Sequence, residues 1–204
     1  MEIIWLGHAC FALESGGCRV VLDPYLMDDY PPLRTHGNLV LCSHGHFDHN
    51  YVKGVRITDG PSPCPFAVEK VATFHDDAQG AKRGNNTIHI LRAEGLKVAH
   101  FGDLGHYPTE EQLEKLRGCD AVLIPVGGFF TIDARMAKRI VDELRPRVIV
   151  PMHYRHGALG LRKVGTLDEF LSLWPESDVC RLDGDRFTLT ADGPRGVIVP
   201  KFMG

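Results

Sequence analysis

The sequence lacks the long apolar segment that a membrane protein needs. No apolar run approaches the roughly 20 residues of a transmembrane helix. The chain opens directly on Glu2-Ile3-Ile4-Trp5-Leu6, with neither a basic region nor a cleavage site ahead of this strand-like run. We therefore expect a cytoplasmic protein that makes no contact with a membrane.

An excess of charge of one sign is also missing. The 23 lysine and arginine residues nearly balance the 26 aspartate and glutamate residues, and the net charge is -3. Proteins that bind polynucleotides concentrate positive charge to neutralise phosphates. The composition therefore argues against nucleic acid as a partner.

The six cysteines form no C-x-x-C pair, and several of them fall in apolar, strand-like segments. In that setting buried free thiols are more common than a disulfide framework or a zinc ribbon. Tandem repeats and low-complexity segments are absent too. With 204 residues, 44% of them hydrophobic, the chain can bury a substantial core, and we expect one domain over residues 1–204.

Apolar runs and turn residues predict a regular order of strands. A hairpin turn is indicated at Ser15-Gly16-Gly17. Residues 24–38 contain three prolines and read as a long loop. We expect side chains of this loop to wall a substrate cleft, namely Tyr25, Leu26, Tyr30 and Leu33. The predicted strands cover residues 3–6, 10–13, 19–22, 38–41, 56–58, 67–74, 87–91, 96–101, 121–126, 148–150, 179–182, 186–189 and 197–199.

Three helices are predicted in the second half, over residues 108–117, 131–144 and 166–174. The second has the clearest pattern, because four apolar residues repeat at four-residue spacing, Ile132, Met136, Ile140 and Leu144. The first and third begin with the spacing of a capping box, Thr109 with Gln112 and Thr166 with Glu169. Hairpins followed by alternating strands and helices suit an α/β (α+β) four-layer αββα sandwich, in which two mixed β-sheets are flanked by helices.

One segment contains most of the candidate chemistry, Cys42-Ser43-His44-Gly45-His46-Phe47-Asp48-His49. Its histidines and aspartate follow an apolar strand directly. A helix cannot present so many neighbours to one point, because its side chains meet only at i, i+3 and i+4. A strand that opens into a tight turn can. Imidazoles and carboxylates bind zinc and similar divalent ions, so the segment predicts a metal site rather than a histidine-rich surface loop.

The run from His44 to His49 resembles the H-x-H-x-D-H signature of the metallo-β-lactamase superfamily of metal-dependent hydrolases. The remaining ligand motifs of that family are similar to three later features of this chain, in the same order: His75, Gly102-Asp103 and Pro151-Met152-His153. Leu22-Asp23-Pro24 resembles the segment whose aspartate supports the metal loop. Two further segments, Trp5-Leu6-Gly7-His8 and residues 102–106, are most similar to the small branch that contains the L-ascorbate-6-phosphate lactonase.

This resemblance implies a metallo-β-lactamase-like fold and a complete set of ligands. His44, His46 and His75 would bind one ion, Asp48, His49 and His153 would bind a second, and Asp103 would bridge the two. Two ions roughly 3.5–4 Å apart share a water and lower its pKa toward about 7. We expect two Zn²⁺ per chain, with Mn²⁺ or Fe²⁺ as alternatives, because the Asp103 carboxylate makes the site harder than the thiolate of some relatives does.

Other residues are expected to have supporting roles, from the resemblance or from their positions beside the ligands in the sequence. Asp48 would also orient the attacking hydroxide, and His8 and Asp23 would support the metal loop or contact the substrate. His106 or Tyr154 would donate a proton to the leaving group or hold the oxyanion; the alternative for both is a packing or hydrogen-bonding neighbour. Arg155 and Lys163 would receive an anionic substrate; the alternative for them is a solvated charged surface.

The function implied is hydrolysis of a small ester, lactone or phosphate-bearing molecule by a metal-bound hydroxide. Two alternatives stay open. One is a phosphodiesterase or nuclease that acts on short nucleic acid, because the same two-metal chemistry cleaves phosphodiesters. The other is a non-catalytic module that binds a metal or a ligand without turnover.

Overall fold

The computed structural model describes residues 1–204. Its strands are β1 (Glu2–Gly7), β2 (Cys10–Ser15), β3 (Cys18–Leu22), β4 (Thr35–Gly37), β5 (Leu39–Leu41), β6 (Val55–Ile57), β7 (Ala67–Phe74), β8 (Asn85–Ala93), β9 (Leu96–His100), β10 (Ala121–Pro125), β11 (Val148–Met152), β12 (Val179–Arg181), β13 (Arg186–Thr188) and β14 (Gly196–Val199). Its helices are α1 (Glu110–Leu116), α2 (Ala134–Leu144) and α3 (Leu167–Leu171), with 3-10 turns at Val52–Gly54 and Glu176–Asp178.

The strands form two mixed sheets, as predicted. The first has the order β13-β1-β2-β3-β5, antiparallel except where β3 and β5 pair in parallel. The second has the order β12-β14-β11-β10-β9-β8-β7, parallel from β12 to β9 and antiparallel from β9 to β7. The predicted sandwich is confirmed.

Alternation along the first sheet gives it two apolar faces. Ile3 and Trp5 contribute to the core that the two sheets share, whereas Ile4 lies in a smaller cluster on the outer face. Tyr25 and Tyr30 cover that cluster, 2% and 4% exposed. The loop that contains them is therefore a packing layer in place of a helix. Tyr25 and Leu33 also border a cavity, and the prediction that the loop walls a substrate cleft stays a prediction.

Side-chain caps set the starts of two of the three helices. The capping box of Thr109 and Gln112 forms at α1. α2 starts later than predicted, because the Asp133 side chain accepts a hydrogen bond from Met136 N and caps the helix there. The capping box at α3 is wrong. Thr166 makes no side-chain cap and pairs with Arg155 in a β-bridge instead.

One strand was not predicted. β4 lies inside the predicted loop and pairs in parallel with β6. It has only three residues, and its central His36 is exposed, so no apolar alternation marks it in the sequence. None of the helices has the length and apolar character that crossing a bilayer requires.

Candidate metal centre

All the candidate ligands follow strand ends that lie on one edge of the sandwich. In the first sheet, β1, β3 and β5 run in the same direction and end next to His8, Asp23 and the 42–49 loop. In the second sheet, β7, β9 and β11 share a direction and end next to His75, Asp103 and His153. The topology therefore brings together residues that are more than 100 positions apart in the sequence.

Asp103 lies at the centre of this group and is 1% exposed. Its Oδ1 is 3.1 Å from His49 Nε2. Its Oδ2 is 3.1 Å from His75 Nε2 and 3.3 Å from His153 Nε2. Burial opposes ionisation of this carboxyl, but the charges of His153 and His49 prevail and hold its pKa well below the usual range.

Two sets of donor atoms flank Asp103, and within each set all the atoms lie within 4.8 Å of one another. The first set is His44, His46 and His75, the same three residues that the sequence groups together. The second set contains the predicted Asp48, His49 and His153 together with His8. His44 and His49 also form a set with Asp103 itself.

The centre contains buried polar atoms that have no hydrogen-bond partner. Among them are His44 Nε2 and both ring nitrogens of His8. Each such group costs about 1–3 kcal/mol when it is buried unpaired. Nitrogen lone pairs and carboxylate oxygens that converge in this way fit one or more divalent cations.

A network behind the ligands fixes which ring nitrogens point inward. His49 Nδ1 donates to Asp23 Oδ2 over 2.8 Å. Ser43 N and Ser43 Oγ both donate to Asp23 over 2.6 Å, so Ser43 Oγ accepts from His44 Nδ1 at 2.9 Å. Both imidazoles therefore direct Nε2 toward the centre, and the predicted support of the metal loop by Asp23 agrees with this geometry.

Protonation in the metal-free protein differs between the ligands. Burial, followed by the charge of His49, lowers the pKa of His44 to about 3. Burial also lowers the pKa of His49, but Asp103 and Asp23 outweigh it and raise that pKa well above its ordinary value. His44 is thus ready to bind a cation at neutral pH, whereas His49 must first lose a proton.

Three structural residues near the site escaped sequence analysis. Asn86 Oδ1 accepts from Asp103 N at 2.9 Å and orients the central loop. Asp76 accepts four backbone N–H bonds from residues 78 to 83 and shapes the loop after His75. Gly105 packs so closely that a Cβ would lie 2.2 Å from Asp76 N. Each role depends on a contact between loops that nothing in the local sequence indicates.

The two predicted proton donors occupy different settings. His106 Nδ1 donates to Tyr107 O at 2.8 Å, and its Nε2 accepts from Phe74 N at 3.2 Å, so both ring nitrogens are bound by the backbone. Tyr154 is buried in the main core, its ring 5.8 Å from that of Trp5. Burial raises the pKa of its phenol. His106 therefore has the hydrogen-bonding role that was the alternative, and proton donation by Tyr154 stays a prediction.

The predicted anion-binding residues occupy different settings. Arg155 is half-buried, its Nε has no partner, and its Nη1 donates to Gly157 O at 3.4 Å. Lys163 is exposed, with Nζ 4.9 Å from the ring centre of Phe129. Phe129 follows β10, the strand between those that end at Asp103 and His153. Arg83 adds a second cation, because its Nη2 donates to Phe129 O at 3.2 Å.

Comparison with known proteins identifies the class to which this fold and site belong. Residues 2–153 match the family model of the beta-lactamase superfamily domain. The chain therefore belongs to the metallo-β-lactamase superfamily, as its motifs predicted.

Individual relatives narrow the class further. The chain is 28% identical over 187 residues to a UPF0173 metal-dependent hydrolase from Thermoplasma acidophilum, covering 76% of this chain and 83% of the relative. It is 29% identical over 189 residues to another from Pyrobaculum islandicum, with 76% and 84% covered. A structure from Thermotoga maritima, named as a Zn-dependent hydrolase of the metallo-β-lactamase superfamily, superposes with a TM-score of 0.76 at 37% identity, covering 98% and 97% of the two chains. The protein is a metal-dependent hydrolase.

Proposed function

We propose that this protein hydrolyses a small anionic ester, lactone or phosphate-bearing molecule at a dinuclear centre. The observation that carries the proposal is the arrangement of two donor sets around one carboxylate, because Asp103 faces His75 of one set and His49 and His153 of the other. A site for one ion would not need both sets. Zn²⁺ is the ion that best suits the predominance of imidazole.

Bound divalent ions would supply Lewis acidity and an activated water at neutral pH. Asp48 would orient the attacking water. Burial opposes ionisation of its carboxyl, but His8 and His49 lower its pKa, so it stays a hydrogen-bond acceptor. His44 and His49 are held by Ser43 and Asp23 and cannot swing away. Fixed donors of this kind keep the centre in one geometry during turnover.

Basic residues beside the loop that follows β10 support an anionic substrate. Lys163 and Arg83 both contact the Phe129 segment, so that two cations and an exposed aromatic ring border the loop after β10. A small molecule that has an anionic group beside its scissile bond matches this border. The lactonase-like opening, Trp5 to His8, supports a lactone or ester in preference to a polynucleotide, as does the net charge of -3.

The test uses pairs of ester, lactone and phosphodiester substrates, each pair with and without a carboxylate or phosphate remote from the scissile bond. We expect Lys163→Gln to raise KM about 5- to 30-fold for the anionic members only, because a charge-assisted contact is worth roughly 1–2 kcal/mol. Lys138→Gln is the matched control, since Lys138 also lies over an aromatic ring, 4.6 Å from Trp174, but on α2.

Three results would contradict the proposal. The first is an equal effect of Lys163→Gln on neutral and anionic substrates, which would remove the anion contact. The second is turnover of phosphodiesters alone, which would favour the phosphodiesterase alternative. The third is a wild-type content of one ion per chain or none by mass spectrometry, which would remove the dinuclear centre.

A further inference from the structure

We infer that His8 is itself a metal ligand and binds the second ion together with Asp48, His49 and His153. This inference rests on the proposed dinuclear centre and goes beyond it, because the superfamily motifs in this chain account for seven ligands between positions 44 and 153, and His8 is not one of them. The second ion would then have four side-chain donors of its own besides the shared Asp103.

The position of the His8 ring supports direct binding. Its Nε2 is 3.6 Å from Asp48 Oδ2, too far for a good hydrogen bond. Its ring centre is 4.3 Å from that of His153 and 5.2 Å from that of His49. Donor atoms of these four residues all lie within 4.8 Å of one another, the spacing expected of ligands around one ion.

His8 also lacks any other partner. The residue is 2% exposed, and neither Nδ1 nor Nε2 makes a hydrogen bond. An imidazole buried with both nitrogens unpaired is costly unless something else satisfies it. A cation shared with Asp48 would satisfy one of the two nitrogens. The donor atoms of Asp48, His49 and His153 converge on the same point as those of His8.

The backbone holds His8 in this position despite local strain. His8 has a φ of 51°, in the left-handed region that non-glycine residues rarely adopt. Its carbonyl accepts from Trp5 Nε1 at 3.1 Å and from His153 N at 3.3 Å, which fixes the turn against the ligand loop after β11. The preceding Gly7, at φ 107°, leaves no room for a Cβ, which would lie 2.8 Å from Phe202. Such an over-determined turn is typical of a functional position.

His89 shows what a buried histidine without this role looks like. It is 1% exposed and its Nδ1 is also unpaired, yet it belongs to no set of converging donor atoms. It therefore provides a matched control: replacing it removes a buried imidazole without removing a candidate ligand.

The experiment compares wild type, His8→Asn and His89→Asn after equilibration with buffered free Zn²⁺ and, separately, Co²⁺. Asparagine tolerates left-handed backbone, so the turn should persist. Ions are counted by mass spectrometry, and the visible spectrum of bound Co²⁺ reports coordination. We expect two ions in wild type and His89→Asn. In His8→Asn we expect the second ion to bind at least about tenfold more weakly and the Co²⁺ spectrum to change.

Two ions with wild-type affinity and an unchanged Co²⁺ spectrum in His8→Asn would overturn the inference and leave the dinuclear centre intact. Fewer than two ions in wild type would instead contradict the proposed function itself. Should His8→Asn fail to fold, crystals of cobalt-loaded wild type decide the matter by anomalous scattering. An ion about 2.0–2.2 Å from a His8 nitrogen supports direct binding, and one beyond about 3 Å overturns it.

Discussion

His46 is exposed, whereas His44 is half-buried and the other candidate ligands are buried. Its ring centre is 4.5 Å from that of His44 and 5.1 Å from that of His75. Because little of the core depends on this side chain, its contribution to metal binding can be separated from its contribution to folding. The buried ligands do not allow that separation, since removing them leaves charges or cavities behind.

We expect His46→Ala to lose the first ion and at least about 100-fold of its activity, because direct ligands should matter more than the supporting residues, which cost 10–100-fold. Its unfolding free energy without metal should stay within about 0.5 kcal/mol of wild type, as for other surface substitutions. Metal analysis measures the bound ion, turnover assays measure the activity, and thermal unfolding after EDTA treatment measures the stability without metal. His36→Ala, an exposed histidine on β4, should change none of them. Wild-type turnover by His46→Ala would refute its assignment as a ligand.

At the scale of elements, glycines let the loops after different strands meet. Gly105 follows Asp103 and lies against the backbone after β7, where a Cβ would be 2.2 Å from Asp76 N and 2.3 Å from His75 C. No side chain can rotate to relieve this contact, because both atoms belong to the backbone. The Asp103 loop and the His75 loop can therefore pack this closely only because Gly105 has no side chain.

Gly105→Ala should accordingly destabilise the protein by about 1–3 kcal/mol or more, as overpacking does, and weaken the first ion by displacing His75. Chemical denaturation and metal titration measure the two effects. Gly184→Ala is the control, because its Cβ would meet nothing within 4 Å, and it should be nearly neutral. Equal stability of the two variants would show that the loops are free to move apart.

The loop that follows β7 is organised by Asp76, whose carboxylate accepts N–H bonds from Ala78, Gly80, Lys82 and Arg83. Burial opposes its ionisation, but these backbone donors, Arg83 foremost, lower its pKa to about 2. Because the pKa in the folded state lies below the ordinary value of about 4, ionised Asp76 stabilises the fold above pH 4. That stabilisation is lost as the pH falls toward 2.

We therefore expect Asp76→Asn to lower Tm at pH 7 and the difference from wild type to shrink as the pH falls from about 4 to 2. Thermal unfolding followed by circular dichroism over this range measures it. Asp77→Asn is the control, since Asp77 only forms an exposed pair with Lys82, and such pairs contribute little. A difference for Asp76→Asn that persists unchanged at pH 2 would show that the carboxylate charge is irrelevant.

The elements show which features local sequence could predict. Strands such as β10 and β11 are short apolar runs and were placed to within two residues at each end. The 42–49 segment was interpretable because its donors are neighbours in the chain. Asn86 and Asp76 were missed because their partners lie in backbone that only the folded loops bring near. Thr166 was misassigned because its capping pattern lost to a long-range bridge with Arg155.

At the scale of the whole molecule, the metal centre lies at one edge of a core that does not depend on it. The hydrophobic core cluster contains 45 buried residues, drawn from the whole length of the chain between Met1 and Val199. Small zinc domains unfold without their ions because the ions replace a core. Here the sandwich has its own core, so metal should add to stability without creating it.

Removing metal with EDTA should therefore leave the far-ultraviolet circular dichroism unchanged and lower Tm by about 5–10 °C for each ion. Binding at 100 times Kd contributes about 2.7 kcal/mol, and each kcal/mol is worth roughly 2–4 °C in a domain of this size.

The Tm gain on adding metal should shrink from pH 8 to pH 6. The reason is that Asp103 and Asp23, against the effect of burial, raise the pKa of His49 well above its ordinary value, so protons compete with the ion for His49 and favour the metal-free form as the pH falls. Unfolding of the metal-free protein at 25 °C would contradict the independent core, and a Tm gain that grows on acidification would contradict the competition at His49.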